Sequence, residues 1–541
     1  MPGSGEARGN RSQLLNQLDD YVIPRVSSLD APLLAVIGGS TGAGKSTLVN
    51  SLVGSVVSKS GVLRPTTRAS VLVHNPADEK WFSDNRVLPG LGRLTGATGP
   101  DDDPGAVRLA ATSAVPQGIA LLDAPDIDSV VQANRDLARQ LLSAADLWLF
   151  VTTAARYADA VPWDVLRQAS ARGTSVAIVL DRVPAEAARE IRDHLAGMLH
   201  EQGLGRAPVF TVTETRLGDD GLLPVSEIQP LRDWLGGLAH DAKARAQVIR
   251  QTLTGALDSL SGRTGSLSGA ALSQYTALKN LHDTSWNSYG DAVNGVIAGM
   301  ADGTLLRGEV LGRWHELVGT GDLFRQIESG VGRLRDRLSA MLKGKGSEVK
   351  SDQLGEALQT GVAALITSQA QGAASMASRQ WRTMPGGGEI LTQHPELTKS
   401  SPGIEKKVDQ LVREWQTELL EMVRAEAGPK RTTARFLALG VNGVAVLLML
   451  VVFMSTAGLS GAEVGIAGGS AVVAQRLLEA IFGDQAVRNL AAKARGSLVE
   501  KTKTLYQGEQ KRYDDVLLGF QVDPRIPNEL TAAVTAVQEA R

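Results

Sequence analysis

Eight residues, Gly39-Ser40-Thr41-Gly42-Ala43-Gly44-Lys45-Ser46, have the spacing Gly-x-x-x-x-Gly-Lys-Ser. Glycines at this spacing let backbone N–H groups turn inward around a polyphosphate. A helix starting at the lysine adds the positive end of its dipole. Lys45 would neutralise the β- and γ-phosphates of a nucleoside triphosphate, and Ser46 would ligate magnesium. Thr47 follows in the first helical turn and completes the nucleotide-binding set. Such a site needs a second part, an apolar strand ending in an aspartate. Ile119-Ala120-Leu121-Leu122-Asp123 supplies it, and Asp123 would hold magnesium, usually through water.

Between these parts stands Arg64-Pro65-Thr66-Thr67-Arg68-Ala69. With the loop and Asp123, this segment resembles the translation-factor class of GTPases. There a mobile threonine after the first helix closes over magnesium and the γ-phosphate. The resemblance implies that role for Thr66 or Thr67, with Thr67 preferred as metal ligand and catalytic residue. The sequence then departs from the class. Its Asp-x-x-Gly signature reads Asp123-Ala124-Pro125-Asp126, and Ile127 stands where a small GTPase carries its water-orienting glutamine. In dynamins the hydrolytic glutamine lies in the phosphate loop, at the position of Thr41. A threonine hydroxyl is short, so the resemblance implies slow unaided hydrolysis by Lys45, Thr41 and Thr67, with activation by self-association or a partner.

The base-reading motif Asn-Lys-x-Asp is replaced by Asp181-Arg182-Val183-Pro184. Arg182 can stack its aliphatic stem on a base, and Asp181 stands beside it. Pro184 cannot accept hydrogen bonds from guanine, and losing that acceptor erodes discrimination against adenine. Guanine is implied by the resemblance and ATP stays as the alternative. Val212-Thr213-Glu214-Thr215 resembles the last loop of such a domain.

Positioning these residues requires alternating strands and helices. Apolar runs predict strands at Leu33–Ile37, Ala69–His74, Val107–Ser113, Ile119–Leu122, Leu147–Thr152, Val176–Leu180 and Val209–Thr213. Helical spacing predicts helices from Lys45 to Val53 and over 130–145, 163–172, 185–202 and 228–239. This is the pattern of an α/β nucleotide-binding domain with a mostly parallel sheet, spanning 30–240. An amphipathic helix over Arg11–Leu29, within a leading segment 1–29, precedes it, and Pro24 should kink it or split off its last turn. Leu88–Pro104, rich in Gly, Pro and Asp, reads as an exposed insertion. Strand signals end near residue 241, and 241–430 reads as an all-α bundle or stalk. Breaks are expected at Lys343–Ser347 and Pro385–Gly388, and 485–541 forms a helical return.

The chain has 541 residues, enough for two to four domains, and a net charge of −2, which argues against bulk nucleic-acid binding. It has no cysteine and seven scattered histidines, so no thiolate or histidine-pair metal site is indicated. The first ten residues lack the apolar stretch of a secretory signal. Residues 436–462 carry no charge, and a second apolar run covers Val464–Ala474. Both flanks are basic: Lys430, Arg431 and Arg435 precede, and 476–512 hold eight Lys/Arg against four Asp/Glu. The reading is a hydrophobic membrane element over 431–484, a hairpin or paddle with both ends at the anionic cytoplasmic face of the cell membrane. A single transmembrane helix and a buried core hairpin are the alternatives.

This order of parts resembles the dynamin superfamily, particularly bacterial dynamin-like proteins. Leu305–Gly321 looks like a segment of actinobacterial members. The resemblance implies GTP and magnesium as ligands and membrane lipid as a partner. It also implies nucleotide-dependent association with a second copy or a paralogous GTPase, and membrane remodelling as the output. A membrane-tethered signalling or assembly protein with slow or no hydrolysis is the competing class.

Overall fold

The computed structural model describes residues 3–58, 70–84, 86–96, 105–129, 131–301, 305, 309–318, 345–427, 433–453, 474–475, 478–479 and 482–541. Two compact units emerge, one from residues 3–272 with 524–541, the other from residues 273–523.

The first unit is built on an eight-stranded sheet. Its strands are β1 (Leu33–Gly39), β2 (Ser70–His74), β3 (Gly92–Leu94), β4 (Ala106–Ala111), β5 (Ile119–Asp123), β6 (Leu147–Thr153), β7 (Ser175–Val183) and β8 (Val209–Thr213). The spatial order is β3-β4-β2-β5-β1-β6-β7-β8, and only the β2–β5 pair is antiparallel. Every residue of β1, β5 and β6 is buried, which is why these strands read as unbroken apolar runs rather than alternating ones. Central β1 pairs with β5 on one side, where Ile37 lies opposite Asp123. On the other side it pairs with β6, where Gly39 lies opposite Val151. The loops after β1, β5 and β6 therefore leave the sheet together at its carboxyl edge, where α/β sheets bind ligands.

Helices cover both faces. In chain order they are α1 (Ser4–Gln17), α2 (Ile23–Ser27), α3 (Lys45–Val53), α4 (Glu79–Phe82), α5 (Gln132–Ser143), α6 (Ala160–Ala171), α7 (Ala188–Glu201) and α8 (Val225–His240). Leu48 and Leu52 of α3 share a core with Leu231 and Leu235 of α8 beneath Leu33, Ala35 and Ile37. The alternate β1 residues Leu34 and Val36 face the other core, with Leu141, Trp163 and Leu195. The long helix α9 (Ala242–Ala301) follows, and its first part meets the N-terminal helix: Tyr21 and Val22 pack with Ala256.

Two expectations are corrected here. The N-terminal helix starts at Ser4, and a π-helical turn at Leu18–Val22 separates α1 from α2, so the last turn splits off one residue before Pro24. Leu88–Pro104 is not wholly exposed. Leu88 and Leu91 are buried, and Arg93 donates to the carbonyls of Phe82 (2.8 Å) and Leu91 (2.8 Å). Gly92–Leu94 forms β3 beside β4. The turn-rich composition hid a strand of three residues, too short to show periodicity.

The second unit is helical: α10 (Glu309–Val318), α11 (Lys345–Trp381), α12 (Gly387–Gln393), α13 (Ile404–Ala427), α14 (Thr433–Val452) and α15 (Asp484–Leu518). A final helix, α16 (Ile526–Glu539), belongs to the first unit. The expected break at Pro385–Gly388 is the turn between α11 and α12, where Gly386 adopts φ +77°. Three buried aromatic side chains of this unit donate to backbone carbonyls. Trp381 Nε1 donates to Leu281 O (2.9 Å), Trp415 Nε1 to Ala494 O (2.8 Å), and Tyr506 Oη to Ile366 O (2.6 Å).

Part of the charge-free run lies in this core. Val444–Phe453 is buried, in one cluster with Trp415, Leu419 and Leu490. Among the described residues no helix is long and apolar enough to cross a membrane. The transmembrane helix is thus not found, and residues 444–453 follow the core-packing alternative. Residues 454–473, the rest of the expected hairpin, lie outside the described residues.

Candidate nucleotide-binding site

The loop Gly39–Ser46 joins β1 to α3, and its glycines are needed for space as well as for φ. A Cβ on Gly39 would stand 2.0 Å from Val151 O. Gly44 caps α3 at φ +84°, and a Cβ there would stand 2.4 Å from Asp181 Oδ2. Glycine thus lets the phosphate loop lie directly against the ends of β6 and β7.

Lys45 is buried, and its ammonium donates to Gly39 O and Ser40 O, both at 3.0 Å. Its third contact is the Asp126 carboxylate. Thr41 Oγ1 also donates to Asp126 (2.9 Å), and Thr41 N donates to Asp128 Oδ1 (2.6 Å). Arg156, after β6, ties these parts together. It donates to Thr41 O (3.0 Å), Asp128 Oδ2 (2.9 Å) and Asp159 Oδ2 (2.9 Å). Burial pushes the Asp128 carboxyl up, but the hydrogen bonds from Thr41 and the Arg156 guanidinium outweigh it and hold the group below the usual carboxylate range.

Ser46 and Asp123, the expected metal ligands, are in contact, with Ser46 Oγ donating to Asp123 Oδ2 at 2.7 Å. Ser58 Oγ donates to the same oxygen at 2.6 Å. Burial pushes the Asp123 carboxyl up against these hydrogen bonds and the nearby Lys45 charge. Its other oxygen, Oδ1, is buried with no hydrogen-bond partner among the described residues. A buried carboxylate oxygen with a free lone pair, beside a serine hydroxyl, fits magnesium, which takes one or two protein ligands and otherwise water and phosphate. No cluster of three or more His, Cys, Asp or Glu side chains that could hold a metal by itself occurs among the described residues.

At the end of β7, Asp181 Oδ1 accepts the backbone N–H of Arg182 (2.9 Å), and Arg182 sits at φ +54°, rare for a residue with a Cβ. A register shift between β7 and β8 spans Leu180/Val183 and lets the chain make this turn. Burial pushes the Asp181 carboxyl up, against the hydrogen bond from Arg182. The Arg182 side chain is more than half exposed, as a base-stacking group must be.

The structure thus gathers Gly39–Thr47, Asp123 and Asp181-Arg182 at one edge of the sheet. Thr66 and Thr67 lie outside the described residues. Sequence reading missed Ser58, Asp128 and Arg156. Ser58 is fixed by Asn50, whose Oδ1 accepts from Ser58 N (2.9 Å) and whose Nδ2 donates to Ser58 O (2.8 Å). Arg156 is 115 residues from Thr41, with no local pattern to betray it. Asp128 was within view, two residues past Asp126 on the same loop. Ile127 is buried in the apolar core, which accounts for an isoleucine at that position.

Residues 34–183, from β1 to the end of β7, match the family model described as the dynamin family. No curated protein matches the chain. Among solved structures it is similar to Era in complex with MgGDPNP and a segment of 16S ribosomal RNA (18% identity, TM-score 0.25). It is also similar to an Aquifex aeolicus Era variant bound to GDP and AlF4− (17% identity, TM-score 0.25). In both cases 38% of this chain is covered, and the match spans little more than half, 56%, of the Era chain. An oligomerised bacterial dynamin pair, described as a mechanism for long-range sensing and tethering of membranes, matches at 10% identity with TM-score 0.34. That match covers 98% of this chain and 95% of the other.

Proposed function

We propose that this chain is a dynamin-like GTP-binding protein that holds GTP and magnesium at Gly39–Ser46 and hydrolyses the nucleotide slowly. The observation that carries this reading is the grouping of Lys45, Ser46 and Asp123 over a glycine-built loop, inside the segment that matches the dynamin-family model. Lys45 and the loop amides bind the β- and γ-phosphates. Ser46 and Asp123 would hold magnesium, with Thr67 closing over it, and the cation would neutralise charge on the phosphates. Asp181 and Arg182 border the base pocket. Thr41 is the loop side chain nearest in role to a water-orienting group, and its short reach is the reason for slow turnover.

The same reading places the chain at the cytoplasmic face of the cell membrane of a bacterium. It associates there with another copy or a paralogous GTPase, and nucleotide turnover drives membrane remodelling. The support is the basic sequence on either side of the apolar stretch, Lys430, Arg431 and Arg435 before it and eight Lys/Arg against four Asp/Glu over 476–512. The test is turnover of GTP and ATP by the full chain, with and without anionic liposomes. GTP hydrolysis stimulated at least severalfold by liposomes is expected. Preference for ATP would overturn the base assignment, and rates indifferent to lipid would favour a tethered signalling or assembly protein.

A further inference from the structure

Two glycines bring the end of α6 against α9. Gly173 adopts φ +70°, and a Cβ on it would stand 2.3 Å from Gly255 Cα. That approach sets Arg172, the residue just past α6, close enough to Arg263 of α9 for the two charges to repel. Both arginines are half-buried. Neither guanidinium has a carboxylate partner among the described residues. Arg172 donates to Gln13 Oε1 (3.2 Å), and Arg263 donates to Asn10 Oδ1 (3.2 Å) and to Gln17 Oε1. All three acceptors are neutral amides on α1. Arginines withdrawn from water normally face an acid, and here two of them share one corner of the unit without one.

Beside them lies a cavity of about 250 Å³. Ser12, Gln13 and Asn16 of α1 line it, with Asp136 and Arg139 of α5 and Arg172. Asp136 pairs with Arg139 at 3.0 Å, so that acid is matched within its own helix and Arg172 and Arg263 remain in excess. Burial and the positive charges of Arg263 and Arg139 push the Arg172 guanidinium down to about 10. The excess is two charges, and a phosphate monoester carries about −1.5 to −2 near pH 7. Its oxygens match the fork of a guanidinium. The volume falls short of the roughly 300 Å³ at which pockets for drug-sized ligands begin, which favours a phosphate or diphosphate group over a whole nucleotide.

We propose that the cavity between α1, α5 and the end of α6 is an anion-binding site for a phosphate or diphosphate group. Arg172 is its main donor, Arg139 a second one, and Arg263 supplies charge from behind. The occupied site fastens α1 to the α/β body. Arg172 stands just before β7, at the amino edge of the sheet, whereas Gly39–Ser46 leaves the carboxyl edge. The two sites are separate, and this one does not depend on whether Gly39–Ser46 takes a nucleotide.

Calorimetric titration of pyrophosphate into the full chain carrying Lys45→Ala tests it, because that variant disables the other phosphate-binding loop. Saturable binding is expected. Adding Arg172→Gln should weaken it by roughly tenfold or more, and adding Arg139→Gln by roughly threefold. Melting curves give a second readout. Without pyrophosphate, Arg172→Gln should melt no lower than its parent, because it removes an uncompensated charge. Pyrophosphate should raise the melting temperature of the parent and leave that of the variant unmoved. Vesicles of phosphatidic acid, set against phosphatidylcholine, separate the sources: competition with pyrophosphate assigns the site to a lipid headgroup, and its absence to a soluble phosphate. Lack of saturable binding would overturn the site, as would binding undiminished in both arginine variants. So would an Arg172→Gln chain that melts well below its parent with or without pyrophosphate, the mark of an arginine that only packs.

Discussion

Single residues of the phosphate loop are chosen by what surrounds them. Gly39 has no room for a Cβ beside Val151, and Gly44 has none beside Asp181. Lys45 is locked by its own loop, so its charge is preorganised. Asp128 is the least anticipated member. It holds Thr41 N and Arg156, and its carboxyl titrates lower in the fold than in the unfolded chain. A depressed carboxylate stabilises the fold above its unfolded value, about pH 4, and that contribution drains away as pH falls through the folded value. Asp128→Asn should therefore melt at a lower temperature than the unaltered chain near pH 7. The gap should narrow as the pH is taken below about 4. A gap that widens on acidification would contradict the direction of the shift.

Secondary-structure elements put these residues where they act, and most of them were legible. Strands β1, β5, β6 and β7 are fully apolar over four or more residues because helices cover both faces of the sheet, so their positions stood out. The short strand β3 was hidden by Gly and Pro around it. The partners of Asp123 and Thr41 were hidden for a different reason: Ser58 and Arg156 arrive by long-range packing, which no local spacing encodes. The same holds for the pair that joins α2 to the sheet. Arg25 is buried and paired with fully buried Asp146, and it also donates to Ala31 O (3.0 Å) and Pro32 O (3.1 Å). Asp146 in turn accepts Leu34 N from β1 (2.8 Å). Removing one partner of a buried pair leaves an uncompensated charge. Arg25→Ala should cost about 3–5 kcal/mol of unfolding free energy in urea titrations. A loss below about 1 kcal/mol would mean the pair is solvated as a surface bridge is.

At the scale of the whole molecule, sequence order separated an α/β part from a helical part, and the structure has both. Where sequence and structure part company is the charge-free run. Length and hydropathy marked it for a bilayer, yet Val444–Phe453 is packed against Trp415 and its neighbours in the helical unit. Apolar residues satisfy either solvent, lipid or protein core, so hydropathy by itself does not choose between them. Lipid-stimulated turnover is the behaviour that distinguishes the two at this scale.

The function proposed for this chain depends on Gly39–Ser46 binding a nucleoside triphosphate with magnesium. The most direct measurement is equilibrium titration of the full chain and of Lys45→Ala with fluorescent GTP and ATP analogues, with and without magnesium. Saturable, magnesium-dependent binding is expected, favouring the guanine nucleotide and weakening by roughly a hundredfold or more in Lys45→Ala. Binding that survives undiminished in Lys45→Ala, or no saturable binding of either nucleotide to the unaltered chain, would contradict it.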